Sequence, residues 1–136
     1  MITDGVFCQT SRRLILKHEA YMIILNEKIN VNDLPHVEET TYFEDMVKCV
    51  VDTDRELIAI NAELHADLEA LLLENGSEQK SLYGINILFD EHEIEFDSLI
   101  NPPRNRDAGY PRAGRTVADP SARRKIEEIV AKWIIM

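Results

Sequence analysis

The sequence predicts one α+β domain with a mainly antiparallel sheet of about five strands and about three helices. Three observations carry that reading. Apolar, β-branched runs recur at 46–51, 57–60 and 82–89, and residues 93–100 alternate acidic with apolar side chains. Leu64, Leu68, Leu71 and Leu72 recur at helical spacing and stop at Asn75-Gly76, a helix end. Ile126, Ile129, Val130 and Trp133 form a second stripe behind Asp119-Pro120, a helix start.

Taken in order, residues 1–21 show no turn chemistry and no clear period beyond a short amphipathic turn at 12–16. They read as an N-terminal extension or a poorly ordered segment ahead of a domain over 22–136, with Met22 as an alternative start. Met22-Ile23-Ile24-Leu25 is a first strand. Asn30 to Asp33 offer caps for a short helix through Leu34, Val37 and Tyr42, with Pro35 in its first turn. Residues 46–52 and 56–60 flank Asp52-Thr53-Asp54-Arg55, so they form a hairpin. The helix over 61–76 starts either there or, if the strand runs on through Leu64, at an Asp67 cap. A polar connection at 77–81 leads to a strand at 82–89, where Gly84 marks a bulge or a close approach. Residues 90–92 turn the chain into a half-buried strand at 93–100. Residues 101–119, with Pro102, Pro103, Gly109, Pro111 and Gly114, read as a long irregular loop.

Composition narrows the class. The chain has 136 residues, 45% of them hydrophobic, and a net charge of −10. It is long enough to bury a core. No apolar run approaches the ~20 residues of a membrane span. Cys8 and Cys49 are too few for a disulfide framework, no zinc spacing is present, and a secretory segment is absent, so a cytoplasmic location is expected. The acidic balance excludes general nucleic-acid binding. That balance is uneven: residues 26–100 carry net −15, and residues 101–136 carry net +4. Arg104, Arg106, Arg112 and Arg115 cluster in the proline-rich stretch, and guanidinium forks suit carboxylate or phosphate.

Two stretches are long enough to compare with known families. They are Glu63-Leu64-His65-Ala66-Asp67-Leu68-Glu69-Ala70-Leu71-Leu72-Leu73-Glu74-Asn75-Gly76-Ser77, continuing into Leu82-Tyr83-Gly84-Ile85-Asn86, and Ile94-Glu95-Phe96-Asp97-Ser98-Leu99-Ile100-Asn101. Both resemble a family of short bacterial and archaeal proteins of unknown function, from Met22 onward. The resemblance implies no activity, and the segment 102–118 departs most from the family pattern.

Three groups of residues could carry chemistry. His65, Asp67 and Glu69 share one face if the segment is a strand, a set able to ligate a metal or act as base and partner. On a helix only His65 and Glu69 pair, four residues apart. Glu93, Glu95 and Asp97 line one face of a strand and need a cation, for which the arginine segment is the nearest source and a metal the alternative. Ser98, Asn101, Arg104, Asn105 and Arg106 enter the loop from a strand end, where they suit an anion. No metal ligand set and no cofactor is assigned, and Cys49 reads as an inert core residue.

The reading favoured by these features is a small homo-oligomeric binding or assembly protein whose arginine-rich loop meets an acidic surface by self-association. The alternative is an enzyme or ligand-binding domain for a small anionic ligand, phosphate or carboxylate. There His65 with Asp67 or Glu69 would do acid–base work while Arg104, Arg106, Arg112, Arg115, Asn101 and Ser98 hold the anion. That alternative requires His65 and a loop arginine to meet in one concave pocket.

Overall fold

The computed structural model describes residues 21–37 and 41–136. Most of the 1–21 extension therefore lies outside the described residues. The fold is α+β as expected: strands β1 (Ile23–Ile24), β3 (Met46–Asp52), β4 (Leu57–Ile60), β5 (Leu82–Leu88) and β6 (Glu93–Glu95) form one sheet in the order β1-β4-β3-β5-β6. Every pairing in it is antiparallel, and the hairpin register sets Cys49 against Ile60 and Asp52 against Leu57. A buried Asp52 closes that hairpin turn, its Oδ1 accepting from the backbone N–H groups of Asp54 and Arg55 at 2.8 and 2.9 Å.

Alternation along the strands sends side chains to two layers. Val47, Cys49, Val51, Ile58, Ile60, Ile85 and Ile87 point to one face. There they meet Ile126, Ile129 and Val130 of the long C-terminal helix Pro120–Trp133, together with Val31 and Leu34 of a short 3-10 helix, Val31–His36. Val50, Ala59 and Leu82 point to the other face, against Leu68 and Leu72 of the helix His65–Glu74. In chain order we call the helices α1 (His65–Glu74), α2 (Asn101–Asp107) and α3 (Pro120–Trp133). Asp119 caps α3 by accepting from Ser121 N–H, with Pro120 just inside the helix start. The α1 end at Asn75-Gly76 has the expected left-handed glycine, φ +105°.

Four details differ from the sequence reading. Segment 101–119 is not wholly irregular: residues 101–107 are α2, although two prolines stand in its first turn. The N–H groups they lack would be unpaired at a helix start in any case, so the pair is compatible with helix there. The strand at 93–100 ends at Glu95, because beyond it the chain turns onto Arg115, with Ser98 N–H donating to Arg115 C=O at 3.1 Å. Leu64 lies outside α1, at its N-cap, and is 55% exposed rather than part of the buried stripe. Finally, β2 (Ile29–Asn30) pairs in parallel with β7 (Ile134–Ile135), a small second sheet absent from the sequence reading.

Candidate functional site

The α1 side of the sheet is apolar at one end and polar at the other. In the β3–β5 ladder Val50 stands opposite Gly84 and Lys48 opposite Asn86, and Glu95 of β6 stands beyond Asn86. The row Lys48, Asn86, Glu95 therefore shares one face, since directly opposed residues point the same way. Asn86 is buried and donates from Nδ2 to Glu95 Oε1 at 2.8 Å and to the Asp97 carbonyl at 3.4 Å.

Onto this end of the sheet α1 brings its first residue, His65. Leu64 is extended and the helix begins directly after it, so the imidazole descends against β5. His65 is 6% exposed, and its Nε2 lies 2.8 Å from the Ile85 carbonyl. A carbonyl only accepts, so Nε2 carries the proton and the neutral ring keeps its lone pair on Nδ1. Burial holds the His65 pKa below its ordinary value and the Lys48 charge acts in the same direction; the bond to Ile85 and the neighbouring Asn86 amide oppose them.

Gly84 makes this approach possible. A Cβ on it would stand 2.3 Å from Ser98 Oγ and 3.1 Å from His65 Cδ2. Its N–H donates to Asn101 Oδ1 and its carbonyl accepts from Asn101 Nδ2, both at 2.9 Å, and the same Nδ2 donates to the Arg115 carbonyl. Asn105 fastens the next stretch, donating to the Gly114 and Thr116 carbonyls and accepting from Ala118 N–H. Ser98 is fully buried and accepts from Ile100 N–H.

The arginines separate into three environments. Arg104 is buried, donates from Nε to the Leu82 carbonyl at 2.9 Å and is ion-paired to Glu69. Arg115 is half exposed and paired to Asp97, Nε to Oδ1 at 2.8 Å and Nη2 to Oδ2 at 3.3 Å. Arg106 and Arg112 are exposed. The set proposed from sequence is thus divided. Glu69 stands against Arg104 instead of His65, and the helix removes the strand alignment of His65, Asp67 and Glu69. The row Glu93, Glu95, Asp97 is broken, because Asp97 lies past the end of β6.

One open pocket of about 190 Å³ lies where these parts meet, lined by Lys48, Leu64, His65, Ala66, Leu99, Ile100 and Arg115. His65 and a loop arginine do share it; Asp67, Glu69, Arg104 and the exposed arginines do not line it. Leu99 and Leu64 form its apolar rim, 74% and 55% exposed. Lys48 is the residue that sequence reasoning missed. Its signal was a lone cation in an otherwise apolar strand, Met46-Val47-Lys48-Cys49-Val50-Val51, at a position that alternation places beside Val50.

A family model described as a protein of unknown function, DUF5674, matches residues 23–133. The chain belongs to that family. The match takes in the whole five-stranded sheet and all three helices, so the pocket is built entirely from family-matched residues. Among curated proteins and solved structures nothing matches. Among the described residues no group of three or more His, Cys, Asp and Glu side chains is placed to hold a metal ion, and no helix is long and apolar enough to cross a membrane.

Proposed function

We propose that this protein binds a small monocarboxylate with a short apolar tail in the pocket between α1 and the segment 97–115. The observation that carries the reading is the convergence of Lys48 from β3 and Arg115 from the C-terminal segment on a cavity whose other walls, His65 apart, are apolar. Asp97 engages Nε and Nη2 of Arg115 and offsets its charge, which leaves about one uncompensated positive charge, that of Lys48. A singly charged carboxylate matches that better than a phosphate dianion. The tail would pack on Leu64, Leu99 and Ile100. At about 190 Å³ the pocket is below the roughly 300 Å³ at which drug-sized sites begin, so the ligand is small.

The test is thermal unfolding with isovalerate and with inorganic phosphate, on the full chain and on Lys48→Gln and Arg115→Gln. A ligand at about 100 times its Kd stabilises the native state by about 2.7 kcal/mol. Isovalerate should raise Tm in the parent, and each variant should weaken that rise. An equal rise in the parent and both variants, or none in the parent, overturns the reading.

Self-association is a second reading. It draws support from the exposed Leu64 and Leu99, since adjacent apolar side chains on a surface suit a partner. Arg104 and Arg115, however, already meet acids of their own chain. Sedimentation velocity on Leu99→Glu decides it: loss of a dimer present in the parent supports assembly through this rim.

A further inference from the structure

Of the side chains that line the pocket, only His65 belongs to a type that ordinarily changes charge between pH 5 and 8. The ring is 6% exposed and gives its Nε2 proton to the Ile85 carbonyl at 2.8 Å, a bond open to the neutral and the charged ring alike. Charged groups act on it from several elements. Lys48 on β3 opposes a second proton, whereas Asp97 and the Asn86 amide favour one. Arg115 faces the same cavity with Asp97 on its Nε and Nη2. On α1 itself Glu69 is held by Arg104, and Glu63 and Asp67 act on Tyr42. Among the described residues no acid lines the cavity, and burial, the largest influence on the ring, keeps it neutral.

Asn86 supplies a second observation. It is 3% exposed, and its Nδ2 is given to Glu95 and the Asp97 carbonyl, so only Oδ1 is left to act on the ring. That oxygen has no hydrogen-bond partner among the described residues. A buried acceptor without a partner is uncommon, and a more positive neighbour suits it.

We propose that His65 takes up a proton when a carboxylate enters the pocket, so that the site binds its ligand as a carboxylate beside an imidazolium. This rests on the monocarboxylate reading and adds the regulation of that same site: the pocket holds the acid more tightly as pH falls. The proton comes from solvent and adds to Nδ1, because Nε2 already carries one for Ile85. The carboxylate, seated against Lys48 and Arg115, offsets the Lys48 charge and brings into the cavity the negative charge that it lacks. An opposite charge within about 4–6 Å favours the charged form of a side chain.

The test is calorimetric titration of the full chain with isovalerate between pH 8 and 6, in two buffers of different ionisation enthalpy at each pH. Net uptake of part of a proton is expected at pH 6 and almost none at pH 8. Affinity should rise up to about tenfold over that range, the limit set by one unit of pKa gained on binding. In His65→Gln, binding should persist with neither proton uptake nor pH dependence. Histidine ring resonances of the parent give the same information without a substitution: the His65 ring should titrate at higher pH with saturating isovalerate than without it. Binding with no proton uptake, or a ring titration that isovalerate leaves unmoved, overturns the proposal while leaving the monocarboxylate reading intact. Equal uptake in His65→Gln overturns the assignment to His65. Failure of isovalerate to bind the parent at any pH overturns both readings.

Discussion

The two faces of the sheet are held by different physics. On the α3 face the contacts are apolar throughout, from Val47, Cys49 and Ile58 to Ile126 and Ile129, and burial pushes the Cys49 thiol pKa well up, leaving it a small hydrophobe. On the α1 face the apolar cluster gives way to His65, Asn86, Ser98, Asn101, Arg104 and Asn105, all buried. There, side chains bond to backbone groups of remote segments, and these bonds position the pocket. An apolar layer tolerates any filling of about the right volume, whereas a polar layer requires each donor and acceptor to be matched. The candidate site is on the face where position is specified.

The comparison predicts a ranked series. The largest effect is expected for Arg104→Met, which strands Glu69 and the Leu82 carbonyl: about 3–5 kcal/mol in chemical denaturation, with Glu69→Leu added to it restoring much of the loss. A double variant no more stable than Arg104→Met would mean the pair is not a buried unit. Next comes Gly84→Ala. Its Cβ must displace Ser98 and press on His65, costing about 1–3 kcal/mol and loosening residues 98–101 in hydrogen exchange before the α3 face responds. Uniform loss of protection across both faces would count against a division of the molecule into two layers.

The smallest effect is on pH. Burial lowers the His65 pKa in the folded chain, so below the unfolded value of about 6.5 the unfolded chain takes up a proton that the folded chain resists. The stability it contributes is complete above that value and falls as pH drops through it toward the folded pKa. Tm should therefore decline more between about pH 7.5 and 5.5 in the parent than in His65→Gln. Equal declines would remove His65 from the linkage.

Much of the α3 face was legible in the sequence, because burial leaves a period: two in the strands, and three to four in 126–133. The glycine at 84 was legible as a close approach, and the pairing of Asp97 with an arginine of the following segment was foreseen from charge alone. The α2 helix was not legible, since its Pro-Pro start reads as loop unless it is known to be a first turn. The β2–β7 pair was hidden because two-residue strands carry no period and their partners lie about a hundred residues apart, at 29–30 and 134–135. The pocket was half legible. His65 and an arginine were singled out, but Lys48 was passed over inside an apolar run. Arg104 was assigned to an anion that turned out to be Glu69.

The short length of β6 has one more consequence. It pairs with β5 only from Asn86 to Leu88, so the stretch from Leu82 to Gly84 offers bare strand edge where another polypeptide could add. The Asn101 amide takes both the N–H and the C=O of Gly84, and the Arg104 guanidinium takes the carbonyl of Leu82. Two side chains of one short helix thus imitate the missing strand, and they close a place where copies of the chain would otherwise zip together into aggregates.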